Sequence, residues 1–301
     1  MTRPHRIEIV EVGPRDGLQN ETEHLSPAER IDLIEKLALA GLKQIEAGSF
    51  VSPRWVPQMA GSDVILKSLR DRDDLRLPVL VPNMRGYEDA RAAGVREIAV
   101  FGAATETFSQ KNINCSIDES LQRFEALCMQ ARNDNVRVRG YISCVLGCPY
   151  EGEVDPGSVA RIAQALMDMG CSDLSLGDTI GVGTADKARR LVEACAEHVG
   201  IEKIAVHFHD TYGQALANIL ACIELGVTTV DTAIGGLGGC PYASGSAGNV
   251  ATEDVVYMLN GLGIDCGVDL NALLDITSDL CARLNHPPAS RVARALLAQR
   301  S

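Results

Sequence analysis

The sequence predicts an α/β fold, a (β/α)8 barrel with additional C-terminal helices. Three observations predict it. Eight short apolar runs rich in β-branched residues alternate with longer amphipathic stretches up to about residue 262. No linker or low-complexity segment divides them, and 301 residues suit one barrel plus an extension, since single barrels reach about 250 residues. The alternative, an open doubly wound sheet, loses weight because no GxGxxG follows the first run and no Walker pattern occurs. The expected division is a catalytic barrel over 1–262 and a helical extension over 263–301 packed on it near its mouth.

Strands are expected at 7–12, 44–48, 77–81, 97–101, 136–144, 173–176, 203–208 and 229–234, runs too short for buried helices. Helices are expected between them. In 27–40, Ser26 can cap, Pro27 fits the first turn and Gly41 ends the pattern. Others span 118–133, 157–169, 184–198 and 213–225, and the extension holds 270–284 and 290–297. Gly94, Gly170 and Gly226 follow helical patterns, where a left-handed cap needs no Cβ.

Forty acidic against 28 basic residues give a net charge of −12, which argues against nucleic acid or an anionic membrane as partner. No run approaches the roughly 18 apolar residues of a membrane span. The opening MTRPHR lacks the apolar stretch of a secretory signal, so the expected location is cytoplasmic. The ten cysteines then read mainly as buried small hydrophobes in a reducing compartment. Only Cys144 and Cys148 stand close together, a weak zinc signal.

Barrel enzymes build their sites at the carboxyl ends of the strands. The first run ends in VGPRDGLQNE, which supplies Arg15, Asp16 and Gln19; the second ends at Glu46, the sixth at Asp178 and the seventh in HFHD. His207 and His209, two apart on a strand, face the same way and offer two imidazoles to a metal. The competing reading is two separately hydrogen-bonded polar residues. With Asp16 and Asn249 they form a set of two nitrogens and two oxygens without thiolate, suited to Mg2+ or Mn2+ more than to structural zinc. Arg15 suits a carbonyl or enolate oxygen, or an ordinary salt bridge to Glu46. Gln19 is a further candidate for binding substrate. Asp178 fits either an acceptor for a histidine N–H or a helix cap. Cys240, after four glycines in five positions and before a proline, sits in a loop able to move or to approach a ligand. Its thiol can exchange a proton, or merely pack.

VEVGPRDGLQNE, SFVSPRWVPQMA, KNINCSIDES, SCVLGCPYEG, HFHDTYGQALAN and GGLGGCPYASGSAGNVATEDVVYML together resemble the 3-hydroxy-3-methylglutaryl-CoA lyase family, over about residues 7–285. The resemblance implies a TIM barrel, cleavage of that acyl-CoA substrate to acetyl-CoA and acetoacetate, and often a homodimer. It implies Asp16, His207, His209 and Asn249 as metal ligands, Arg15 at the thioester side of the substrate, Glu46 as the residue that orients Arg15, and Cys240 as the loop cysteine. A condensing synthase of the same superfamily does not usually carry GGLGGCPY, and a mere CoA-ester sensor has no need of Cys240 or Arg15. The alternative within the same chemistry is a longer 3-hydroxyglutaryl-CoA ester.

Three departures accompany the resemblance. A glycine precedes GLGGCPY where the family more often has alanine, Arg54 stands where many members carry lysine, and the tail ALLAQRS lacks the regulatory cysteine of some animal members. The opening MTRPHR resembles that of the bacterial members, and the expectation is that a mitochondrial leader is lacking. Local attraction for an anionic substrate is expected from Lys111, with Arg54 or Arg85.

Overall fold

The computed structural model describes residues 3–239 and 248–300. Its first half runs β1 (Glu8–Glu11), α1 (Pro27–Leu39), β2 (Gln44–Ile45), β3 (Gly48–Ser49), α2 (Ser62–Ser68), β4 (Val79–Leu80), α3 (Met84–Ala92), β5 (Glu97–Ala103), α4 (Glu106–Ile113) and α5 (Ile117–Asn133). The second half runs β6 (Arg137–Ser143), α6 (Pro156–Asp168), β7 (Asp173–Asp178), α7 (Ala185–Val199), β8 (Ile204–Phe208), α8 (Ala215–Leu225), β9 (Thr229–Thr232), α9 (Thr252–Gly261), α10 (Leu270–Leu284) and α11 (Arg291–Arg300). Among the described residues no helix is long and apolar enough to cross a membrane.

The strands are parallel, in the order β2-β1-β9-β8-β7-β6-β5-β4-β3. β2 and β3 are two pieces of one extended segment. Within it the Glu46 N–H donates to Glu11 O on one flank and the Ala47 N–H to Pro78 O on the other, each at 2.9 Å. The segment therefore bonds to β1 and to the β4 stretch together, and the sheet closes as the expected barrel.

Local signals account for the helix starts. Ser26 and Glu29 form a capping box at α1, Ser116 and Glu119 another at α5, and Asp155 caps α6 ahead of Pro156. The helices α2, α3, α4 and α9 escape the sequence reading. They have 7, 9, 8 and 10 residues, too few turns for a clear apolar period. α9 also buries both charged residues of its first turn, Glu253 and Asp254, which hides its amphipathic signature.

The barrel wall has two unlike faces. Outward, Ile9, Ile45, Ile98, Val138, Leu174, Val206 and Val230 pack on the helices in one continuous apolar core. Inward, the wall carries charge. Arg139 of β6 donates to Asp231 of β9 at 2.6 Å, and Ser175 of β7 to the same carboxylate at 2.7 Å. β6 and β9 are not neighbours in the sheet, so this contact crosses the interior. The alternation of apolar and polar residues in these short strands is thus the alternation between helix layer and barrel lumen.

The extension closes against α1 and α9. Gly41, which ends α1, has a φ of 108°, and a Cβ there would stand 2.0 Å from the Gly267 carbonyl oxygen. Neither the left-handed backbone nor the carbonyl can give way cheaply. Gly41→Ala is therefore expected to lower unfolding free energy by about 2–4 kcal/mol, read as a lower denaturation midpoint with unchanged slope.

Candidate active site

The carboxyl ends of the strands open into a cavity of about 1210 Å3, lined in part by Arg15, Asp16, Gln19, Tyr141, His207 and His209. β1 leaves the sheet through a tight turn at Gly13–Gly17, where Val12 O accepts the N–H groups of Arg15, Asp16 and Gly17 at 3.1, 2.7 and 3.2 Å. This turn aims two adjacent side chains at the mouth. Arg15 Nη1 donates to Asp16 Oδ1 at 2.6 Å, and Arg15 Nη2 pairs with the fully buried Glu46 at 2.7 Å. The salt bridge to Glu46 exists, and it fixes the guanidinium at the cavity wall.

His207 and His209 lie on one side of the β8 end, ring centroids 5.5 Å apart. One ligand atom from each, with an Asp16 oxygen, forms a group whose members all lie within 4.8 Å of one another. Asn249 joins it, its Nδ2 donating to Asp16 Oδ2 at 2.8 Å. Burial favours protonated Asp16, yet Arg15 and then the two histidines outweigh it and hold the carboxyl far below its usual range. Burial, then His207, pushes His209 down to about 4, so its imidazole is neutral at neutral pH with a lone pair free. Its buried Nδ1 has no hydrogen-bond partner among the described residues. An ionised oxygen, two imidazoles and an unused buried nitrogen at one cavity wall fit a divalent cation.

The sequence left Asp178 open between a histidine N–H and a helix cap, and its contacts are to backbone N–H groups rather than to a histidine. Asp178 takes the N–H groups of Val182 and Gly183 at 3.2 and 2.8 Å, in the turn before α7, and meets neither imidazole. Burial raises its pKa to about 6. Asp231 stands there instead, opposite His207 in the β8–β9 register, with its Oδ2 3.3 Å from His207 Nδ1. Although burial works against it, Arg139 and then His207 keep the Asp231 carboxyl below its usual range. An ionised carboxylate only accepts, so Nδ1 carries the proton and Nε2 faces Asp16, 3.8 Å away.

Asp231, Arg139 and Tyr141 were missed. Tyr141 sits edge-on to His207 at 5.9 Å and under the Arg15 and Arg139 guanidinium groups at 6.0 and 5.4 Å. The available signal was a charge inside a short apolar strand, in TVDT and in VRVRGY. Of the basic residues expected near the substrate, Lys111 lines this cavity, while Arg54 and Arg85 line a neighbouring one of about 640 Å3.

Cys240 lies outside the described residues. The loop that carries it leaves β9 through Ile234–Gly236 and reaches the cavity at Gly239, whose carbonyl accepts from Asn20 Nδ2 at 2.9 Å. Two buried glutamates hold the base of this loop, and sequence reading missed both. Glu11 accepts the Gly13 and Ile234 N–H groups at 2.7 and 2.9 Å. Glu253 accepts the Gly235 N–H and the Thr277 hydroxyl, which ties the loop to α10. The glycine that departs from the family pattern, Gly235, has a φ of 65°, a conformation that would strain an alanine.

Burial raises the Glu253 pKa from 4.5 to about 7. The folded chain therefore holds a proton that the unfolded chain has lost between these values. The resulting stabilisation is complete below pH 4.5 and disappears as the pH rises through 7. Glu253→Gln should remove a pH-dependent loss of up to about 3 kcal/mol, seen as a flatter profile of denaturation midpoint between pH 4.5 and 8.

A family model described as HMGL-like matches residues 6–280. The 3-hydroxy-3-isohexenylglutaryl-CoA/hydroxy-methylglutaryl-CoA lyase of Pseudomonas aeruginosa is 56% identical over 299 residues, covering 99% of this chain and 100% of the relative. The mitochondrial hydroxymethylglutaryl-CoA lyase of Rattus norvegicus is 54% identical over 294 residues, covering 98% of this chain and 90% of its own. The crystal structure of hydroxymethylglutaryl-CoA lyase from Pseudomonas aeruginosa superimposes with a TM-score of 0.96, covering 99% of this chain and 100% of that one. The motif resemblance, the closed barrel and these matches agree, and the chain belongs to the HMGL-like family.

Proposed function

We propose that the chain is a divalent-cation-dependent hydroxymethylglutaryl-CoA lyase, which cleaves 3-hydroxy-3-methylglutaryl-CoA to acetyl-CoA and acetoacetate. The observation that carries the reading is the convergence of Asp16, His207 and His209 beside the buried Arg15 at one cavity. Relatives named for this activity match nearly the whole chain.

Asp16, His207, His209 and Asn249 would hold the cation, and the donor set without thiolate suits Mg2+ or Mn2+. Bound there, the cation would acidify the tertiary hydroxyl of the substrate, as metals do for bound water. Asp16 or His207 takes the hydroxyl proton. The oxygen's electron pair then forms the ketone of acetoacetate, while the bond to the CH2 beside the thioester breaks. Its electrons pass onto the thioester as the enolate of acetyl-CoA. Arg15, held by Glu46, stabilises the enolate oxygen, and Cys240 delivers a proton to the enolate carbon. Gln19 lines the same cavity and would contact the substrate there. The helical extension supports the loop: the Ala289 N–H donates to Gly235 O at 2.9 Å, and Thr277 bonds to Glu253.

A second reading keeps this chemistry for a longer acyl chain. A relative named for an isohexenyl substrate as well as hydroxymethylglutaryl-CoA favours it. Release of acetyl-CoA from the methyl and isohexenyl substrates, each with Mg2+, with Mn2+ and with a chelator, decides between the two. No turnover of either ester with metal present overturns the proposal.

Three substitutions test the roles. His209→Ala should lose bound metal by elemental analysis. Cys240→Ser should keep near-normal metal while turnover falls by orders of magnitude. Arg15→Met should lower kcat by about a hundredfold to a thousandfold, the usual loss for one pre-placed donor to an oxyanion.

A further inference from the structure

The mouth of the barrel has an apolar arc that the proposed reaction does not use. Leu80 of β4, Ala99 of β5 and Tyr141 of β6 form a buried cluster separate from the core between strands and helices. Val51 and Phe101, both half-buried, pack against it. The pleat of the strands puts them there. Ile98, Val100, Val138 and Ile142 turn outward into the helix-packed core, so Ala99, Phe101, Arg139 and Tyr141 turn into the lumen. Leu80 stands beside Ala99 in the β4–β5 register, and Phe101 beside Tyr141 in the β5–β6 register.

This arc has a closed floor and an open end. Val51, Leu80, Phe101 and Tyr141 line the large cavity. One pleat deeper, Ala99 stands beside Arg139, whose guanidinium is bound to Asp231. A hydrocarbon cannot pass there without separating a buried ion pair. The open end lies at Val51 and Phe101, the two members that solvent reaches. Tyr141 joins the arc to the reacting groups, since its ring meets His207 edge-on at 5.9 Å and lies under Arg15 at 6.0 Å.

The substrate has one group of matching chemistry. Carbon 3 of a 3-hydroxy-3-alkylglutaryl thioester carries a hydroxyl, a carboxymethyl arm, the thioester arm and an alkyl group. The hydroxyl and the carboxylate suit the cation cluster, and the thioester oxygen suits Arg15. The alkyl group alone has no polar atom, and it gains by leaving water for an apolar wall. We propose that Val51, Leu80, Phe101 and the Tyr141 ring hold this alkyl group, and that Phe101, at the open end, limits its length. A methyl group fits against the wall as it stands. A longer chain is stopped below by the charged floor and must run outward past Phe101. This assignment rests on the lyase reading above and deepens it by naming the residues that select the acyl group.

The test is the ratio of kcat/KM for the hexyl and methyl substrates, 3-hydroxy-3-hexylglutaryl-CoA over 3-hydroxy-3-methylglutaryl-CoA. Both carry the same coenzyme A, so losses in its binding, in bound metal or in folded enzyme cancel in the ratio. Phe101→Ala should raise the ratio by about tenfold or more, the usual scale for room in an apolar pocket, and Phe101→Leu should raise it less. Val51→Phe, which fills the same end, should lower it by about tenfold. Opening and filling thus shift the ratio in opposite directions, which damage to the fold does not do. An unmoved ratio, or a shift of the same sign in Phe101→Ala and Val51→Phe, overturns the proposal. Turnover of the methyl substrate with an unmoved ratio refutes the alkyl pocket alone. No turnover of either substrate by the unsubstituted chain with metal present refutes the lyase reading, and the pocket falls with it.

Discussion

The site depends on one buried carboxylate. Asp231 lies inside the barrel, where it is 1% exposed, and it accepts from Arg139, Ser175 and His207 at once. Three strands, β6, β7 and β8, are thereby tied through the lumen to β9. A charge buried so deeply is tolerable only when paired and hydrogen-bonded on every side. Because the Asp231 carboxylate can only accept, it also sets which nitrogen of His207 carries the proton. The same group therefore braces the barrel and turns His207 Nε2 toward Asp16 and the cavity.

A second consequence of the charged lumen is economy of position. Arg139 and Asp231 form the floor, Tyr141 and His207 rest above them, and Arg15, Glu46 and Asp16 complete the wall. Each side chain is held by a neighbour that is itself held, so little rearrangement is needed when a substrate charge develops. The loop that carries Cys240 is the exception. Its base is pinned by Glu11 and Glu253, but its φ angles at Gly235, Gly236 and Gly238, 65°, 71° and 113°, are open to glycine above all.

Much of the fold was legible. The eight strands fell where β-branched runs stood, and Ser26, Ser116 and Asp155 began helices as capping chemistry requires. The short helices α2, α3, α4 and α9 were not, since about two to three turns leave no clear period. In the site, the paired histidines and the RD dipeptide were legible because chemistry at strand ends stands out against apolar runs. Asp178 stayed open between two roles because a carboxylate at a strand end looks alike whether it serves a histidine or a turn. Lys111 was separable from Arg54 and Arg85 only once their cavities were known.

The sequence by itself determined the class of fold, the family and the residues that meet at the rim, because periodicity and motif spacing are local properties. Only the tertiary structure decided that Asp231 serves His207, that the lumen is charged, and that Glu253 joins the loop to α10. These are pairings between residues 18 to 92 positions apart. No local pattern specifies such partners; closure of the barrel brings them within hydrogen-bonding distance and excludes the water that would otherwise separate them.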